Sequence, residues 1–152
     1  MLGGVAVRDF QEIARGRDLR ARIRTREGAP EMYFLIRDSE RVLPVYHAGA
    51  LHVLRWGNQR SQSKTLPSTA WAMQDGLETG RWASLKPEDA VVPASRALDN
   101  DVWYDVREGI RAIVVRDEQA ALVVYPLVER SSHYYRIMTG SDWMPCLLRQ
   151  RI

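Results

Sequence analysis

The apolar residues of this chain arrive in short runs bounded by turn residues, a pattern that commits it to many strands rather than to long helices. Met32 to Ile36, Val42 to Tyr46 and Leu51 to Trp56 are separated by Asp38-Ser39 and Ala48-Gly49, which reads as a β-meander. After Pro93 come Val102 to Val106, Ile110 to Val115, Leu122 to Val128, Tyr134 to Thr139 and Pro145 to Leu148, with Gly109 and Asp117-Glu118 marking turns. Val7, Phe10, Ile13 and Ala14 are spaced as one helical stripe, so a short helix is predicted over 7–14, stopping at Gly16. The polar stretch from Asn58 to Ser68, containing Ser61 and Ser63, reads as a mobile loop with almost nothing to bury. No internal repeat or composition shift divides the 152 residues. The expectation is a single α+β domain over 1–152, mostly β, with a partly closed barrel and a few short helices.

Charge narrows the partners. The chain carries 22 Lys and Arg, of which only Lys64 and Lys86 are lysine, and a formal net charge of +3. Guanidinium pairs with phosphate through two parallel hydrogen bonds and stacks on bases, so an arginine-rich chain suits phosphate recognition; a codon-biased genome gives the same composition. From Leu19 to Arg26 apolar residues and Thr25 alternate with Arg20, Arg22, Arg24 and Arg26, which predicts a strand carrying four guanidiniums on one face. Such a row can follow a nucleic-acid backbone or simply protect a solvated edge strand. No stretch approaches the roughly 18 apolar residues of a membrane span. The first residues lack the basic start and apolar run of a secretory signal, and the one cysteine, Cys146, cannot form an internal disulfide. A cytoplasmic protein is expected.

Several short segments fall in a telling order: Met1-Leu2-Gly3-Gly4, Leu43-Pro44-Val45, Arg55-Trp56-Gly57, Leu77-Glu78-Thr79, Val92-Pro93-Ala94 and Asp142-Trp143-Met144-Pro145. In that order the chain resembles the SOS-response-associated peptidase (SRAP) family, whose members crosslink to abasic sites in DNA. The resemblance implies a nucleophilic cysteine at position 2, exposed by removal of Met1, whose amine and thiol close a thiazolidine on the sugar aldehyde. A glutamate, a histidine and an asparagine orient the sugar and move protons in that family.

Here Leu2 occupies the cysteine position, and a leucine there is expected to block removal of Met1. The asparagine position falls at Gln74, with Gly76 where an arginine belongs. The glutamate position falls at Asp99, with Asp101 or Asp105 as alternative registers. The histidine position falls at Ser141, and Trp143 replaces the arginine before Met-Pro. The resemblance therefore implies a pocket built from Leu2, Gln74, Asp99 and Ser141 that lacks the covalent step. It leaves a DNA-binding surface, for single-stranded or abasic DNA, on Arg20, Arg22, Arg24, Arg55, Trp56 and Trp143. Trp56 at a strand end is also an ordinary core position, and Glu78 and Thr79 suit a bracing role.

Other chemistry finds little support. His47, His52 and His133 lack the spacing of a metal site, and His47 and His52 read as surface residues beside a hairpin turn. Cys146, next to Leu147 and Leu148, reads as a buried thiol. The aromatics Trp71, Trp82, Trp103, Tyr104, Tyr134 and Tyr135 suffice to fill a core. No cofactor or metal is expected. Two other readings stay open: an enzyme with a site rebuilt around Asp99 and His133, and a structural or interaction protein of phage-related origin.

Overall fold

A computed structural model describes residues 1–15, 18–59 and 62–148. Gly16, expected to stop the first helix, and Ser61 of the polar stretch lie outside the described residues. In chain order the strands are β1 (Leu2–Val7), β2 (Ile23–Arg26), β3 (Ala29–Leu35), β4 (Val42–His47), β5 (Ala50–Trp56), β6 (Ala72–Met73), β7 (Glu88–Val92), β8 (Arg96–Asp99), β9 (Val102–Asp105), β10 (Ile110–Arg116), β11 (Leu122–Arg130) and β12 (Trp143–Pro145). Three short helices interrupt them: α1 (Gln11–Ala14), α2 (Gln74–Glu78) and α3 (His133–Thr139). The fold is α+β and mostly β, as the short apolar runs imply. Among the described residues no helix is long and apolar enough to cross a membrane.

Two sheets share the core. One is antiparallel, in the order β2-β3-β1-β8-β9. The other runs β10-β7-β4-β5-β11 and closes on itself through β10–β11 pairing, giving a five-stranded barrel. β11 is long enough to serve twice. Its first half pairs with β10 and runs parallel to β5, and its second half takes β12 and β6.

Burial explains why β10 and β11 read as continuous apolar runs. Ala112, Val114 and Val124 join the main core with Leu2, Val5, Phe34 and Trp56. Their neighbours Ile113, Val115, Val123, Tyr125 and Leu127 pack the other way, against Leu66 and Trp82, so both faces of these strands are covered.

Four expectations are corrected. The segment 32–56 is not a meander: β3 leaves the barrel to pair with β1 and β2, and only β4 and β5 form a hairpin, turned by Ala48 and Gly49 at φ 52° and 76°. Residues through Val7 are strand rather than helix, because β1 is the middle strand of its sheet; the helix shrinks to Gln11–Ala14. The Leu19 to Arg26 strand begins only at Ile23, since Asp18 accepts a hydrogen bond from the Arg20 amide and Arg20–Arg22 winds into a single 3-10 turn. Tyr134 to Thr139 belongs to a helix, α3. Ser132 caps its start by accepting from the Tyr135 amide at 3.1 Å, and Gly140, at φ 75°, closes its end.

The described residues of the polar stretch after β5 are anchored too. The Asn58 amide group is buried, donates to the carbonyls of Ser63 and Leu66 at 2.9 and 3.0 Å, and accepts from the Ser63 amide. Asn58→Ala strands these backbone groups and is expected to cost about 1–3 kcal/mol in urea denaturation, with faster protease cleavage in the segment that follows.

Candidate functional site

Three of the positions singled out in the sequence meet at one end of β1. Leu2 lies opposite Asp99 in the β1–β8 ladder. Asp99 is fully buried, and Ser141, just past α3, donates its hydroxyl to Asp99 Oδ1 at 2.5 Å. The Met1 amino group reaches the same Oδ1 at 3.1 Å and the Ser141 hydroxyl at 3.4 Å. The Tyr135 hydroxyl donates to Asp99 Oδ2 at 2.7 Å, and Tyr104 and Tyr135 join at 2.9 Å. Because Tyr135 spends its proton on the carboxylate, Tyr104 must donate to Tyr135, giving a chain of hydroxyls that ends on Asp99. Burial first, then Tyr104 and Asp99, push the Tyr135 phenol far above its ordinary range.

The three aspartates named in the sequence differ in burial. Asp101 sits exposed in the β8–β9 turn at φ 65°, and Asp105 lies exposed at the end of β9, so Asp99 alone occupies the buried position. Its two oxygens are already taken by Tyr135, Ser141 and the Met1 amine. A carboxylate so occupied is poorly placed to act as a general base, and it holds the two hydroxyls and the amine in fixed positions.

The remaining positions do not join it. Gln74 opens α2, donates to Glu78 at 3.3 Å and faces the Cys146 thiol at 3.9 Å. Gly76 is buried beside Trp82. Leu2 itself, although it lies opposite Asp99, has no exposed surface and packs in the main core. Trp56 is 1% exposed and donates its indole N–H to the Ala70 carbonyl at 2.8 Å, so it is a core residue and offers no face to a base. Arg55 is held by Asp117 at 3.2 Å. Burial pushes the Asp117 carboxyl up, but the amides of Ala121 and Gln119 and the Arg55 guanidinium outweigh it and hold it below its ordinary value.

Because the strand is shortened, Arg20 and Arg22 lie on the 3-10 turn and only Arg24 and Arg26 lie on β2. Arg20 pairs with Asp18, Arg22 with Asp38 at 2.7 Å, and Arg24 bonds the Ala21 and Ile23 carbonyls. Arg26 lies 3.9 Å from Glu27. Within the chain these guanidiniums thus have local carboxylate or carbonyl partners. Trp143, on β12, remains half-buried, with the exposed Arg130 guanidinium 4.8 Å above its ring.

His133 is exposed at the first position of α3, and no hydrogen bond joins it to Asp99, so the geometry of a site rebuilt on that pair is missing. His47 is 7% exposed, which corrects its reading as a surface residue. Among the described residues no group of three or more His, Cys, Asp or Glu is arranged to hold a metal ion. Cys146 is buried and free, and burial pushes its thiol well above the ordinary range.

Sequence reasoning missed Tyr135, Tyr104 and Trp71. Trp71 is half-buried and donates its indole N–H to the Leu2 carbonyl at 2.8 Å. The signal for Tyr135 was present in the caps on either side of it, Ser132 and Gly140, which set it on the inner face of a helix together with Thr139. No family model and no curated protein matches the chain.

Proposed function

We propose that this chain is a divergent SRAP-like domain that binds single-stranded or abasic DNA without a covalent step. The reading rests on one observation: Leu2, Asp99 and Ser141, matched to the family's site from segments far apart in sequence, come together around the Met1 amine. Two half-buried tryptophans lie near these residues along the chain or through a bond, Trp71 through its bond to the Leu2 carbonyl and Trp143 two positions after Ser141 in sequence. Bases would stack on the solvent-reaching parts of these rings, and Arg130, 4.8 Å above Trp143, adds a cation for phosphate. These rings take the stacking role expected of Trp56, which is buried. No thiazolidine is expected, because position 2 carries no thiol and Cys146 is buried, which pushes its thiol pKa up.

The test uses labelled single-stranded DNA with and without one abasic site. The protein is expected to retain both in a native gel, with affinity falling steeply as salt rises. No complex is expected to survive boiling in denaturant. Trp143→Ala is expected to weaken binding about tenfold, within the roughly 1–3 kcal/mol that one stacked base supplies. A boiling-resistant band, or no binding at low salt, overturns the proposal.

A further inference from the structure

Away from the Asp99 cluster, a cleft of about 310 Å³ opens at the rim of the barrel, beside the turn that joins β4 to β5. It lies where β4 and β7 are joined by the Tyr46–Val91 pairing, so the seam between these strands is short. Tyr46, His47, Asp89, Val91, Arg111 and Leu148 line it. Its size is that of small-ligand sites, which run from about 300 to 1,000 Å³.

Two of these side chains carry unspent hydrogen-bonding capacity. Arg111 is half-buried on β10; its backbone amide bonds the Cys146 carbonyl, but among the described residues no carboxylate or carbonyl takes its guanidinium. His47 is buried, and its Nε2 has no hydrogen bond. The Glu88 carboxylate lies 3.4 Å from that nitrogen without hydrogen-bond geometry, and 57% of the Glu88 side chain is in solvent. The His52 ring stands 6.0 Å from the His47 ring, centre to centre. Buried polar groups in folded proteins nearly always find partners, so the His47 Nε2, buried without a hydrogen bond, points to a missing acceptor, and Arg111 offers a cation on the same cleft. An arginine fork and an imidazole nitrogen match a phosphate.

The rest of the cleft specifies what the phosphate is attached to. Tyr46 is 48% exposed, an unusual state for a large aromatic ring in this chain, and offers a face for stacking. Asp89, exposed on β7, supplies a hydrogen-bond acceptor and sets a cost on ligands that carry negative charge alone. A base ring with an exocyclic amine answers both. We propose that this cleft binds a nucleoside monophosphate, with its phosphate on Arg111 and His47, its base on Tyr46 and its amine toward Asp89. The site is independent of the DNA reading above.

Calorimetric titration of the full chain with adenosine monophosphate, adenosine and inorganic phosphate tests this. Adenosine monophosphate is expected to bind at one site, at least tenfold more tightly than either adenosine or phosphate alone. Arg111→Gln is expected to lose at least tenfold in affinity for the nucleotide and for phosphate. Tyr46→Ala is expected to weaken the nucleotide but leave phosphate unchanged. Both positions reach solvent, and unchanged urea midpoints establish that the variants are folded. Equal binding of adenosine and its monophosphate, preference for free phosphate, wild-type affinity in folded Arg111→Gln, or no saturable binding each overturns the proposal.

Discussion

Replacing Asp99 with alanine is expected to remove about 3–5 kcal/mol of folding stability, a large part of the roughly 5–15 kcal/mol that holds a typical domain. The carboxylate has no solvent exposure and receives bonds from Tyr135, Ser141 and the Met1 amine. Its removal takes the acceptor from the Ser141 hydroxyl, and leaves the Tyr135 hydroxyl only Tyr104 and the Met1 amine only its 3.4 Å contact to Ser141; a buried group orphaned in this way costs about 1–3 kcal/mol. Asp99→Asn, which keeps the shape and one acceptor oxygen, is expected to cost less than alanine. Tyr135→Phe removes one donor and breaks the link to Tyr104, and is expected to be the mildest of the three. Urea denaturation of the set gives the ranking. A cost under about 1 kcal/mol for Asp99→Ala would mean that the cluster contributes no net stability in solution.

The second large effect is expected at Glu31. This carboxylate is 1% exposed and holds the equally buried Arg96 through two bonds, at 3.0 and 2.9 Å. Tyr33 accepts a further bond from the same guanidinium at 2.7 Å, and the Trp103 ring lies 4.6 Å from it. Burial works against the Arg96 charge, and the bonds and attraction from Glu31 outweigh it. Glu31→Ala strands a buried cation and is expected to cost about 3–5 kcal/mol, whereas replacing both residues together, Glu31→Leu with Arg96→Met, is expected to recover most of that loss. Arg8, 3.7 Å from Glu31 and 55% exposed, is too solvated to make up the difference. The double variant is decisive: if it is as unstable as Glu31→Ala, packing around Trp103 rather than charge pairing controls this face.

Legibility followed the range of the interaction. β4, β10 and β11 could be read directly, because residues buried on both faces leave unbroken apolar runs. The sheet to which β3 belongs could not, since its apolar run is compatible with either sheet and only pairing with β1 decides. At α3 the Tyr-Tyr-Arg-Ile sequence has strand-forming composition, and the caps at Ser132 and Gly140 override it. The arginine alternation was real but its meaning was local, with Asp18 two residues from Arg20 turning the chain away from a strand. Asp99 and Ser141 were reached through motif order, whereas Tyr135 and the Glu31–Arg96 pair depend on contacts across distant segments that carry no mark in the sequence. His47 looked exposed because it borders a turn, yet its side chain points into the barrel rim.

The closure of the barrel by β11 also dictates an order of assembly on the ribosome. β4 and β5 can form their hairpin as soon as they emerge, but the edge of β5 beside Arg55 and Trp56 has no neighbour until Val123 and Val124 have been synthesised. Through that interval a strand edge and the apolar side chains it carries stay open to wrong partners. Long-range pairing of this kind slows folding, so a nascent chain halted before β11 should be captured by holdase chaperones far more readily than one released after β12.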